Sequence, residues 1–537
     1  VTMSNGTLDA AVEILGTDVD RRECRLLLDG VAIGSHATFT MWNNAVLDLG
    51  GKEVRLDRFT LKGTSSVVGG GGKLLVESGD VVRLGSTLYA QSVDLEVRGG
   101  TLDFAGKTLA AKSARMTEDA TMGNGALDNG LYVEGGRKLT LCGDFNGIAE
   151  VTLGNAATLD MGGHRVNKAV VLQGAGTLSN GTIGGTLRLN DRVAFTWSGD
   201  DLELAGGAAL GAGSRLDLGT HSINNVTVSG IGATLSNGTV RGTLSLQEDA
   251  AFAWNDDKLK LEGGITMGLD SILYLGGHTI GDVTLTDDAD IFNGSTSGSL
   301  TLKEDASFTW FDENLELLGR VDVGKDAVFD LRGRTIDADV AVGIRSEISG
   351  GGTIAGNLIL SDSTSFTWSD RNLHLDGNVV IMRWAQFDMG GQTLKGDVVI
   401  TAADEPSKIY GAGTIGGNLV LGNGIFFSWS NKDLNIGGVV AGSGSDIDLN
   451  GRTIGNATLT ANNSLVRNGT VSGCFSLGDG VSYTWSNDNL LLMRNVALGN
   501  NAAFDICERT ISQSVILQGS DASVTNGIVS GDLILED

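Results

Sequence analysis

Nine copies of one short pattern, set at a regular interval, leave this chain few ways to fold. The pattern is clearest in Leu216-Asp217-Leu218-Gly219-Thr220-His221-Ser222-Ile223, and the others begin at Leu47, Leu102, Leu159, Leu273, Phe329, Phe387, Ile447 and Phe504. Successive starts are evenly spaced, each roughly 57 residues after the last, the spacing of a repeat architecture. A chain of 537 residues would ordinarily divide into several globules, but a fixed period overrides that expectation, because repeat proteins grow by stacking.

One repeat, 195–251, cuts into three equal pieces (195–213, 214–232 and 233–251). Each piece holds short alternating runs, such as Leu202-Glu203-Leu204, Leu216-Asp217-Leu218, Val226-Thr227-Val228 and Leu244-Ser245-Leu246. Alternation sends one set of side chains to one face. Gly, Asn, Asp and Ser separate the runs, and no window carries a helical pattern. Hairpins fit such spacing poorly, whereas coils that pair with their equivalents above and below fit it well. The expected fold is therefore all-β, a right-handed parallel β-helix (β-solenoid) with about 19 residues per coil and three coils per repeat. Gly and Asn fill its corners, where a positive φ is often needed. The absence of hexapeptide spacing argues against the left-handed kind. A lone coil orders too many residues for the few apolar side chains it buries, so neighbouring coils must supply the stability.

The domain expectation is a single continuous solenoid over 1–537 with nine repeats, 1–155 being less regular and 195–537 regular. About 28 coils at ~4.8 Å each predict a rod roughly 130 Å long. From 195 on, a second mark recurs: Phe195-Thr196-Trp197, Phe252-Ala253-Trp254, Phe308-Thr309-Trp310, Phe366-Thr367-Trp368, Phe427-Ser428-Trp429 and Tyr483-Thr484-Trp485. The longest repeat is expected to place its extra residues, 402–407, in a protruding turn. Met3-Ser4-Asn5-Gly6-Thr7-Leu8 resembles Val524-Thr525-Asn526-Gly527-Ile528-Val529, so the chain is expected to be a segment of something longer, or a unit that stacks end to end.

The coil length, the Gly/Asn corners and phrases such as Leu235-Ser236-Asn237-Gly238-Thr239-Val240 resemble the passenger domains of bacterial filamentous-haemagglutinin-type and autotransporter adhesins. The resemblance covers nearly the whole chain. It implies secretion, an extended rod and adhesion at the cell surface, and it carries over no catalytic residue.

Composition fits that class. A net charge of −27, spread along the chain, repels nucleic acid and anionic lipid. No apolar run approaches the ~18 residues of a membrane span. The expected partners are neighbouring copies or further repeats stacked end to end, and surface glycans. No cofactor is expected, although an acidic surface can hold Ca²⁺ weakly. Cys24, Cys142, Cys474 and Cys507 fit no metal-ligand spacing. Cys474 and Cys507 fall nearly two coils apart, roughly 9 Å and beyond the ~7 Å reach of a bridge, so free thiols are expected.

Each candidate site competes with a packing role. Asp48, Asp103, Asp160, Asp217, Asp330, Asp388, Asp448 and Asp505 recur in the motif, with Tyr274 replacing one. They lie three coils apart, about 14 Å, too far for a shared Ca²⁺ shell, and read as solvated outward residues. His164, His221 and His278 alternate with Lys52, Lys107, Arg334, Gln392, Arg452 and Arg509 in one register, which reads as a solvated corner rather than a metal ladder. The aromatic marks read chiefly as core packing. Carbohydrate contact at Trp197, Trp254, Trp310, Trp368, Trp429 and Trp485 is the competing reading. Asn180, Asn225, Asn237, Asn293 and Asn468 head Asn-x-Ser/Thr triplets and read more simply as corners. No enzyme is expected: a cleaving site needs converging acids that break the repeat, and Asp404, Glu405 and the irregular Trp384 are too few. A secreted or cell-surface structural and adhesive rod or filament is the first functional expectation, and a carbohydrate-binding or carbohydrate-cleaving, tailspike-like β-helix the second.

Overall fold

The computed structural model describes residues 1–16, 24–147, 150–401, 408–486 and 489–536. The protruding turn expected at 402–407, with Asp404 and Glu405, lies outside the described residues. The chain divides into two compact units, one of Val1–Thr266 with Ser271–Tyr274, the other of Met267–Asp270 with Leu275–Asp537.

Each unit is all-β, a right-handed parallel solenoid of short strands, and the two hold about 25 turns in all. The one helical element among the described residues is a 3-10 turn, Leu56–Arg58. In the first unit, Leu187–Leu189, Ala208–Leu210, Val226–Val228 and Leu244–Leu246 stack in parallel, with Leu189↔Leu210↔Val228↔Leu246 in register. A second ladder stacks Ala194–Thr196, Arg215–Asp217 and Ile231–Ser236, aligning Phe195↔Leu216↔Leu235. A third runs through Ser222–Ile223, Thr239–Val240 and Lys260–Leu261. In the second unit, the ladder equivalent to the first of these is Leu302↔Val323↔Val342↔Leu360↔Ile381↔Ile400.

The coils are unequal. The step in register from Leu189 to Leu210 is longer than the steps from Leu210 to Val228 and from Val228 to Leu246, so three coils close one repeat without being equal. The long coil is the one that carries the tryptophan. Its indole N–H is directed at the carbonyls of Gly199 and Leu202, at 3.3 and 3.1 Å, on either side of Asp200-Asp201. The early coils are as long or longer, with Thr2 aligned to Leu27 and Cys24 to Ala45. Coils longer than the expected length explain why there are fewer turns than the sequence predicts.

The inward columns form the core. Leu216 and Leu218 expose 1% and 0% of their surface, while Asp217 between them is half-buried. Phe252, Phe308, Phe329, Phe387 and Phe504 are fully enclosed, each aligned with an apolar residue of a neighbouring coil, as in Phe308↔Phe329 and Phe366↔Phe387. Where a polar residue enters the interior it finds backbone: the buried Ser214 and Ser445 hydroxyls donate to the carbonyls of Gly211 (2.8 Å) and Gly422 (2.6 Å), which removes most of the cost of burying them.

The corners use the left-handed region as expected. Asn180, Asn237, Asn293 and Asn468 have φ of 56°, 54°, 51° and 56°, a conformation Asn tolerates better than most residues. Gly238, at φ +63°, is required for a second reason. A Cβ there would lie 2.4 Å from the His221 carbonyl oxygen and 2.6 Å from the Leu218 Cβ. The neighbouring coil rests directly on this backbone.

Candidate functional site

The motif aspartates hold the corner rather than merely facing solvent. Asp217 Oδ1 accepts the Gly219 N–H at 2.9 Å, an Asx turn, and also the Asn237 side-chain amide of the next coil at 2.7 Å. Asn237 in turn gives its backbone N–H to Asp256 Oδ2 one coil further on, at 2.6 Å. The column Asp160–Asn180–Asp201 repeats this arrangement at 3.0 and 3.2 Å, and Asn468 binds Asp448 at 3.1 Å. The recurring Asn-Gly phrase therefore belongs to a hydrogen-bonded corner that joins successive coils. The triplet residue Asn225 also serves the fold, its Oδ1 accepting the Thr243 N–H at 2.8 Å.

The structure corrects the carbohydrate expectation for the six tryptophans. Trp197, Trp254, Trp310, Trp368, Trp429 and Trp485 are all buried, none exposing more than 6% of its surface, and buried indoles offer no ring face to a sugar. Trp197, Trp310 and Trp368 give their N–H to the carbonyls of Leu202, Leu315 and Leu373 at 3.1, 3.1 and 2.9 Å, five positions on. The indole N–H groups of Trp429 and Trp485 are buried and have no acceptor among the described residues.

The His/Lys/Arg register is corrected too. Where it faces a tryptophan, it is a lid over the indole, not a solvated corner. His221 stacks on Trp197 with ring centroids 4.5 Å apart and planes 3° from parallel, and its Nε2 meets Asp200 Oδ1 at 3.1 Å. The guanidinium carbons of Arg334, Arg452 and Arg509 lie 5.6, 5.3 and 5.1 Å from the ring centres of Trp310, Trp429 and Trp485, within cation–π range. Arg334 also donates to the Trp310 and Phe311 carbonyls, both at 2.9 Å. A signal for this pairing was present in the sequence: in these four pairs the lid follows its tryptophan at an almost constant separation, as 221 follows 197 and 334 follows 310. Comparing histidines only with one another, three coils apart, hides it.

All four cysteines are free. Among the described residues no group of three or more His, Cys, Asp or Glu side chains is placed to hold a metal ion, and no helix is long and apolar enough to cross a membrane.

The less regular early part of the first unit, within 1–155, carries an ion-pair network across neighbouring coils. Lys73 meets Glu96 at 2.6 Å and Glu53 at 3.5 Å, and Arg98 meets Glu96, Glu77 and Glu53 at 2.6, 3.3 and 3.5 Å. Hydrogen bonds from Arg98 and then Lys73 bring the Glu96 carboxyl from the usual 4.5 down to about 2. A carboxylate held below its ordinary value stabilises the fold fully above about pH 4.5 and loses that contribution as pH falls through the folded value. After allowance for solvent screening the contribution is about 1–2 kcal/mol. The protection factors of amides in 73–98, taken relative to intrinsic exchange at each pH, should therefore fall between about pH 4.5 and 2 more in the native chain than in Glu96→Gln. Parallel profiles would show that the network contributes nothing.

The open surface that breaks the repeat lies in the second unit. The residue before each core aromatic is Ala194, Ala251, Ser307, Ser365 or Ser482 in five repeats, but Phe426 in the sixth. The outward residue aligned with Asp388 is Tyr410, where Asp217 and Asp330 have Ser236 and Ser349. Tyr410 and Phe426 are 39% and 49% exposed, on successive coils. They border a groove of about 220 Å³ that Lys408, Ser428 and Ser430 also line. Arg467 lies over the Phe426 ring at 5.7 Å, held in turn by Asp446 at 2.8 Å and Asp448 at 3.1 Å.

Compared with protein-family models, curated proteins and solved structures, the chain finds no match.

Proposed function

We propose that this chain is a secreted or cell-surface structural and adhesive repeat protein, built to form an elongated rod or filament. The observation that carries this reading is the use made of the recurrent polar and aromatic residues. The Asp–Asn–Asp column and the lidded tryptophan both join one coil to the next, so the recurrent positions of the repeat are committed to stacking. A net charge of −27 spread over such a surface keeps it hydrated and discourages nucleic-acid and anionic-lipid contact. The resemblance to adhesin passenger domains points the same way. In this reading the partners are further repeats or neighbouring copies, and glycans of a facing surface.

The experiment is location. Antibodies against the folded chain should label intact, unpermeabilised cells of the source organism by immunogold, and added protease should remove the label. Labelling confined to the cell interior would overturn the proposal. A second reading, carbohydrate binding, is favoured by one feature, the exposed aromatic groove of Tyr410 and Phe426.

A further inference from the structure

The geometry points to a glycan subsite in the groove that Tyr410 and Phe426 border, taking a pyranose ring against the exposed aromatic side chains. This deepens the adhesive reading and rests on it.

The groove suits such a ligand. Tyr410 and Phe426 both border it, with Lys408, Ser428 and Ser430, and both rings stand partly open to solvent. The two rings make no ring–ring contact with each other among the described residues. The groove stays open between them, at about 220 Å³.

The chemistry around the groove also suits a sugar. An apolar ring stacks its C–H face on an aromatic, but a polyol must in addition have its hydroxyls satisfied. The Tyr410 hydroxyl, Lys408 Nζ and the Ser428 and Ser430 hydroxyls belong to groove residues, and none of these four groups has a protein partner among the described residues. They supply donors and acceptors at the edge of the stacked ring. A protein helix or strand docking here would bring its own backbone and need a longer apolar strip, whereas this apolar surface is two rings wide and rimmed with hydroxyls.

The platform is held in place beforehand. Arg467, pinned by Asp446 and Asp448, covers the Phe426 ring and limits its rotation, which lowers the ordering cost of binding. Five equivalent positions carry Ala or Ser where Phe426 stands, so the coil does not need an aromatic there to fold.

The test uses the full chain on an array of oligosaccharides built from gluco-, galacto-, manno- and hexuronic pyranoses. At least one series should bind. Tyr410→Ala and Phe426→Ala should each weaken that binding about tenfold, while Phe311→Ala, which removes another exposed aromatic of the same unit, leaves it unchanged. Circular dichroism of the three variants should match the parent, since all three side chains are partly exposed and lie outside the inward columns. Absence of binding to every series, or binding that survives both groove substitutions, would overturn the subsite. Surface labelling without glycan binding removes the subsite and keeps the adhesive reading. Glycan binding by a protein confined to the cell interior does the reverse.

Discussion

Leu218→Asp is expected to open the coils around it, while Asp217→Ala, one residue away, leaves them standing. Leu218 is fully buried, and its Cβ lies where a Cβ at Gly238 of the next coil would come within 2.6 Å. A carboxylate there has neither water nor a cation to meet it, so the substitution should cost more than about 4 kcal/mol. Asp217 is half-buried and accepts two hydrogen bonds, from the Gly219 N–H and the Asn237 amide. Its loss should cost about 1 kcal/mol, the range for a corner or cap hydrogen bond. A solenoid need not unfold as one unit, so a single melting temperature is the wrong measure. Amide hydrogen exchange across 187–246 reads the local effect. Leu218→Asp should strip protection from the three ladders there, and Asp217→Ala should reduce it modestly at the corner. Equal effects would mean that the inward and outward faces have been exchanged.

Trp310→Ala is expected to be the most damaging of the aromatic truncations that leave the backbone alone. The indole is buried, its N–H bonds the Leu315 carbonyl at 3.1 Å, and Arg334 covers its outer side. Removal empties a corner bounded by two coils and leaves a guanidinium over the void, at a cost of about 3–5 kcal/mol. Trp310→Phe keeps a ring beneath Arg334 and loses chiefly the N–H bond, about 1–2 kcal/mol with the smaller volume. Trp384, 47% exposed, provides the contrast, and Trp384→Ala should leave exchange in its own coil nearly unchanged. If Trp310→Ala were as mild as Trp384→Ala, the indole would not be a packing element. Its six-fold recurrence would then need another explanation.

Much of the fold was legible in the sequence because parallel stacking repeats chemistry at a fixed interval. Each coil meets its neighbours through the same faces, so a residue pattern suited to one coil recurs in the others. Leu216-Asp217-Leu218 announced inward and outward faces, and Leu216 and Leu218 are buried as read. Asn237-Gly238 announced a corner, and Asn237 has the left-handed φ such a corner needs. The recurrent tryptophans announced packing, and their burial agrees, while sugar contact at those same residues does not survive it.

What the sequence hid was any relation that crosses coils of unequal length. Coils of uniform length place His221 and Arg334 in no particular relation to Trp197 and Trp310. The long coil, which carries the chain in register from Leu189 to Leu210, brings each lid round to its ring. The same holds for the groove. The separation of Tyr410 from Phe426 in the sequence matches no whole coil, and only the stacking of their coils brings both to one groove. The sequence by itself determined the strand class, the repeat and the inward columns, because alternation and periodicity are local properties of the chain. The tertiary structure decided which aromatic rings are covered and which stand open. That depends on the side chain one coil away, and its position is set by corner geometry rather than by residue count.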